Sequence, residues 1–182
     1  MSDRPTRRDF GRIALAASAA ACALMPVTAR AAAANATPGL SHNADTIHQE
    51  ISFKAPRHRV YAALTTAAQF DAVSKLGAAA RSGKLPSAPT VIAAQAGGAF
   101  SIFGGYIVGR TLELVPDTLL VQAWRETGWE PGAFSLVKFA LSGDGAGTKL
   151  VFDHTGFPQG AGAHLSIGWY EDYWNPLAKY LR

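Results

Sequence analysis

The side chains that could do chemistry in this 182-residue chain are few, and most lie late: Gln122, Glu126, Glu130, His154, His164, Glu171, Asp172 and Tyr173. Their spacing excludes more than it offers. His42, His48, His58, His154 and His164 stand at no metal-ligand interval from one another or from a carboxylate, so no metal is expected. There is no nucleophile elbow, phosphate loop or dinucleotide fingerprint, and no cofactor is expected. Glu171 and Asp172 are adjacent, and adjacent residues on a helix point to different sides, so they form no carboxylate pair. Glu126 and Glu130 fall near a loop and read as solvated. His154 has two readings. With Glu126 or Tyr173 it makes an acid/base pair if the fold joins them. As a lone histidine at a strand end it is a hydrogen-bonded structural residue fixing the Gly156-Phe157 turn. No catalytic residue is assigned.

These residues sit on elements that the hydrophobic pattern outlines. "IHQEISF" from Ile47 alternates with period two, Ile47, Ile51 and Phe53 on one face and His48, Glu50 and Ser52 on the other, which predicts a half-buried strand. In "APRHRVYAALTTAAQFDAV", Pro56 suits a first helical turn, and Val60, Ala63, Leu64 and Ala67 recur at helical spacing, with a break near Thr65 or Thr66. "RSGKLPSAPT" reads as a loop. Short apolar runs split by turn residues follow, predicting five or six antiparallel strands joined by hairpins. The final helix spans roughly Ala161 to Leu181, with Leu165, Trp169, Tyr173 and Leu177 on one stripe and Pro176 expected to bend it or break a hydrogen bond. Alternation then gives the inward faces: Phe100 and Ile102; Leu120, Gln122 and Trp124; Val137, Phe139 and Leu141; Leu150, Phe152 and His154. Lys138, Lys149 and Asp153 point outward. Such a twisted sheet has one apolar face, and the terminal helix is the available cover. With Trp169 and Tyr173 the inward side chains make a mostly apolar lining with a few polar tips, the composition of a small-molecule site. The same stripe also fits ordinary core packing. Gln122 could orient a polar ligand group or satisfy a backbone carbonyl.

The formal charge of +4 is concentrated at the start of the chain. Residues 1–31 carry Arg4, Arg7, Arg8, Arg12 and Arg30 against two aspartates, and the remainder is net +1, which argues against a nucleic-acid partner. An arginine-rich start, an apolar run from Ile13 to Met25 and small residues after Pro26 make a signal-peptide pattern too short to span a bilayer well. Thr6-Arg7-Arg8-Asp9-Phe10-Gly11-Arg12 resembles a twin-arginine motif, with Arg7 and Arg8 as the pair. Cleavage is expected near Ala31 or Ala33, leaving residues 32–46 as a flexible linker and 47–182 as one domain. The expected partner is the twin-arginine translocase, the expected location the periplasm, and no stable membrane anchor is expected. Cys22 is the only cysteine and lies in the leader, so the exported chain has no thiol chemistry.

Several stretches together resemble one family. They are Gly97-Gly98-x-Phe100, Leu112-Glu113-Leu114 before Pro116, Trp124 ending a strand, and Gly147-Thr148-Lys149-Leu150. His154-Thr155-Gly156-Phe157-Pro158, Gly168-Trp169 and Tyr180-Leu181 complete the order. The chain from about 47 to 181 is similar to the activator of heat-shock-protein-90 ATPase homologue family of the START-like, or SRPBCC, superfamily. The resemblance implies an α+β helix-grip fold: a curved antiparallel sheet wrapped around a long C-terminal helix, with a cavity between them. It implies a binding module for a small apolar molecule, lipid or polyketide-like. The alternatives are a cofactor-free cyclase or hydrolase in the same cavity, or a chaperone-type protein that binds a partner. The ligand-lining residues are then Phe100, Ile102, Gln122, Trp124, Phe139, Phe152, His154, Trp169 and Tyr173, with room expected between Trp124, Phe152 and Trp169.

Overall fold

The computed structural model describes residues 46–182; the expected leader, its cleavage site and most of the linker lie outside them. The first strand, β1 (Thr46–Phe53), is followed by three short helices, α1 (Arg57–Thr65), α2 (Ala67–Ser74) and α3 (Ala78–Arg81). Six strands follow: β2 (Val91–Ile92), β3 (Ala99–Ile102), β4 (Ile107–Val115), β5 (Leu119–Glu126), β6 (Ser135–Asp144) and β7 (Gly147–Thr155). They form one antiparallel sheet in the order β1-β7-β6-β5-β4-β3-β2. The chain closes with a continuous helical run made of α4 (Gly162–Gly168), a widened π turn (Trp169–Trp174) and α5 (Asn175–Tyr180). This is the curved sheet gripping a C-terminal helix that the family resemblance implies.

The inward faces follow the period-two alternation. Phe100, Ile102, Leu120, Gln122, Trp124, Val137, Phe139, Leu141, Leu150, Phe152 and His154 are all buried. Thr66 is extended and separates α1 from α2, as its position suggested. Pro56 stands one residue ahead of α1 as its N-cap rather than inside the first turn. The segment ahead of the expected loop forms α3, which takes in only Arg81 of that loop. That helix is stabilised from a distance: Asp172 Oδ1 on the terminal helix accepts the Ala79 N–H at 2.7 Å, a cap no local pattern reveals. Gly77 permits the approach, since a Cβ there would stand 2.7 Å from Asp172 Oδ1.

Two local departures from regular geometry shape the interior. Between β3 and β4, Phe103, Gly104 and Gly105 all have positive φ, 52°, 66° and 90°. A phenylalanine in the left-handed region is strained, and its ring is held by edge contacts with Phe70 at 5.5 Å and Tyr173 at 5.3 Å. Gly104 lies against the backbone carbonyl of Pro86 so closely that a Cβ would collide with it. The other departure is the π turn. Pro176 has no N–H for the carbonyl of Asp172, and the turn just before it is widened. Residues five apart then fall one above the other, and Trp169 and Trp174 stack at 5.6 Å with 19° between planes. Both are buried, together with Tyr173. A pure spacing of four predicted the stripe through Leu165, Trp169, Tyr173 and Leu177, all buried, but it left Trp174 out.

Candidate ligand cavity

The aromatic cluster under the helix is closely packed. Phe152 lies 4.2 Å from the Trp169 ring, and Trp124 lies 5.7 Å from it on another side. The space expected between Trp124, Phe152 and Trp169 is therefore filled by the rings themselves. A cavity of about 440 Å³ opens instead beside Trp124, Trp169 and Tyr173, bounded by Phe103, Ile107 and Leu165. It lies where the start of β4 and the end of β5 meet, Ile107 pairing with Glu126. Small residues make the room: Ala79, Ser82 and Gly168 line the cavity, and a Cβ at Gly168 would meet nothing within 4 Å. The Pro86 segment seated on Gly104 forms the outer wall.

Of the nine residues predicted to line a ligand site, three border this cavity: Trp124, Trp169 and Tyr173. Phe100, Ile102, Gln122 and Phe139 surround a separate residual void of about 10 Å³, too small for more than a single water. Phe152 and His154 are fully buried in the cluster and border neither space.

His154 has a defined structural role, and it differs from the expected one. Trp169 Nε1–H donates to His154 Nδ1 at 3.0 Å, which makes Nδ1 the acceptor and places the proton on Nε2. That N–H meets Ser135 Oγ at 2.7 Å, and Ser135 donates to the Trp124 carbonyl at 2.9 Å. The chain of bonds thus ties β5, β6, β7 and the terminal helix together rather than fixing the Gly156-Phe157 turn, although the Phe157 ring does touch the imidazole at 4.9 Å. Burial pushes the imidazole pKa down to about 3, so the ring is neutral.

Glu126 is the larger surprise. It was read as solvated, yet it is buried beside the cavity and pairs with His164, Nε2 to Oε1 at 3.0 Å. The strand continues its alternation one step beyond Trp124, so Glu126 stays on the inward face; extending the period-two count would have found it. The carboxylate–imidazole contact at the cavity is therefore Glu126–His164, and Glu126 does not meet His154. Tyr106 stands at the same mouth. Its partial burial, then the nearby Glu126 carboxylate, raise its pKa. A second polar group that the pattern missed is Gln49, on the inward face of β1. It accepts from Trp174 Nε1 at 2.6 Å and donates to Ser166 Oγ at 3.2 Å, pinning the helix to the sheet edge.

Among the described residues, two buried side-chain polar atoms have no hydrogen-bond partner: Trp124 Nε1 and the Tyr173 hydroxyl. Burial is the main cause holding the Tyr173 hydroxyl protonated; the nearby Trp124 indole opposes it, and the charges of Asp172 and Glu126 add to it. Buried groups are nearly always paired, so two orphans on residues lining one cavity are a feature to account for. Among the described residues no cluster of His, Cys, Asp or Glu could hold a metal ion.

Comparison with known proteins agrees with this architecture. The family model described as Activator of Hsp90 ATPase homolog 1-like protein matches residues 54–182. The human activator of 90 kDa heat shock protein ATPase homolog 1 is 28% identical over 90 residues, covering 50% of this chain and 27% of that protein. The chain spans less than a third of the length of the curated relatives it matches. An HSP90 activator from Plasmodium falciparum superposes with a TM-score of 0.65 at 20% identity, over 75% of this chain and 95% of that one. CalU16 from Micromonospora echinospora superposes with a TM-score of 0.60 at 21% identity, over 76% of each chain. With its family match running from the end of β1 to the last residue, this chain belongs to the Activator of Hsp90 ATPase homolog 1-like family and has the helix-grip fold.

Proposed function

We propose that this protein is an exported binding module that holds a small apolar molecule in the cavity between the sheet and the C-terminal helix. The observation that carries the reading is the cavity of about 440 Å³ beside a rigid aromatic floor, in the size range of small-molecule sites. The floor is preformed. Trp169 is locked by its bond to His154 and by stacking on Trp174, so little side-chain freedom is lost on binding. The tricyclic hydrocarbon fluorene is a suitable probe, and its own fluorescence reports binding in the micromolar range. Gly168→Phe decides the matter. Gly168 is helical, at φ −58° and ψ −38°, and open space lies beyond it, so a benzyl group enters the cavity without a backbone penalty. The variant keeps its thermal stability and loses fluorene binding at least tenfold; unchanged binding means the ligand sits elsewhere.

Export belongs to the same proposal and rests on the Arg7-Arg8 motif and the small-residue stretch after Pro26. Replacing Arg7 and Arg8 by lysine leaves the precursor in the cytoplasm of a bacterial host, read by fractionation. Equal export of both forms removes the translocase from the account. The chaperone-activator activity that names the relatives is a different proposal, which nothing at this cavity favours.

A further inference from the structure

We propose that the molecule held in this cavity carries a neutral carbonyl-type oxygen, received jointly by Trp124 Nε1–H and the Tyr173 O–H. The inference rests on the cavity reading above and specifies the class of molecule that fills it. Trp124 and Tyr173 both line the cavity, and they are 3% and 5% exposed. Their polar atoms are the two buried side-chain groups without a partner among the described residues. The contrast with their neighbours is informative: the indole N–H of Trp169 is given to His154 and that of Trp174 to Gln49. The Trp124 indole lies close enough to stabilise the Tyr173 oxygen, yet no hydrogen bond joins the two.

The chemistry of the two groups restricts what satisfies them. An indole N–H only donates, so a ligand must present an acceptor there, and an ammonium group is excluded. A carbonyl oxygen has two lone pairs and accepts from both donors at once. The charge nearby decides between neutral and anionic acceptors. Asp172 and Glu126 both place negative charge near the Tyr173 oxygen, which disfavours a carboxylate or phenolate at that position, although Lys84 lines the same cavity. Most of the remaining surface is apolar, from Phe103, Ile107, Leu165 and the Trp169 ring, with Lys84, Tyr106, Glu126 and His164 as polar points on the lining. A ketone or related carbonyl on a compact apolar skeleton fits this set, whereas a plain hydrocarbon leaves both donors unpaired.

The test uses three rigid tricyclic probes of nearly one shape on the full chain: fluorene, 9-fluorenone and fluorene-9-carboxylate. The expected result is that fluorenone binds roughly tenfold to a hundredfold more tightly than fluorene, as two net hydrogen bonds allow, with the carboxylate weakest. In the complex the fluorenone carbonyl stretch shifts to lower frequency than in hexane. Tyr173→Phe removes only an unpartnered hydroxyl, so it stays folded. Its ratio of fluorenone to fluorene affinity falls most of the way to one, and part of the infrared shift is reversed. If fluorene and fluorenone bind equally, or Tyr173→Phe keeps the full preference, the carbonyl proposal fails and the apolar-cavity reading stands. If the carboxylate binds most tightly, the acceptor is an anion and the proposal fails in that form. If none of the three binds, both readings fall together.

Discussion

Between pH 6.5 and pH 3 the folded protein loses about 4 kcal/mol through His154 alone. An unfolded chain takes a proton on this histidine near 6.5, whereas burial holds the native imidazole neutral until about 3. Across that window the unfolded state binds the additional proton, so stability is full above 6.5 and declines as the pH falls. The hydrogen bonds point the same way. Protonating Nδ1 would set a new N–H against the Trp169 indole N–H that now donates to it. Because His154 is 0% exposed, solvent screening takes little from the effect. Urea denaturation of the wild type at a series of pH values shows this decline, and His154→Gln, less stable at neutral pH, has a flatter profile. Parallel profiles for the two proteins would mean that His154 titrates freely in the native state. The Ser135–His154–Trp169 chain would then not be intact.

Replacing Trp169 by alanine is expected to cost about 5 kcal/mol, near the upper end for loss of a buried tryptophan. The ring touches Phe139, Phe152, His154, Tyr173 and Trp174 and is 2% exposed, so its removal empties the centre of the helix–sheet contact. It also leaves His154 Nδ1 without a donor in a dry site, a further penalty. Trp169→Phe separates the two contributions: it keeps most of the apolar volume, loses the N–H and costs about 1 to 3 kcal/mol. The midpoint and slope of urea unfolding measure both variants. A loss below about 2 kcal/mol for Trp169→Ala would show that other contacts hold the helix on the sheet. Since the ring also forms the cavity floor, the alanine variant enlarges the cavity and binds fluorene more weakly despite the added room.

The sheet was legible because its rule is local. Side chains alternate across a strand whatever the strand pairs with, so the inward positions of β5, β6 and β7 were readable from runs such as "LLVQAWR" and "KLVFDHT". The helical stripe through Leu165, Trp169, Tyr173 and Leu177 was readable for the same reason. The candidate site was legible only in part. Trp124, Trp169 and Tyr173 were found from their faces, but a face says only that a residue points inward, and six other inward residues border no cavity of useful size.

Residue order by itself thus determined the strand faces, the helical cover and the aromatic content of the interior, since each follows from backbone periodicity and the need to bury apolar surface. The tertiary structure alone decided the rest. It capped α3 with Asp172 from 93 residues away. It paired Glu126 with His164 and set the empty space beside Trp169 rather than between the rings. Each of these depends on how three-dimensional shapes meet across large separations in the chain. Whether two rings touch or leave a gap is settled by packing to within an ångström, a distance that no spacing of letters encodes.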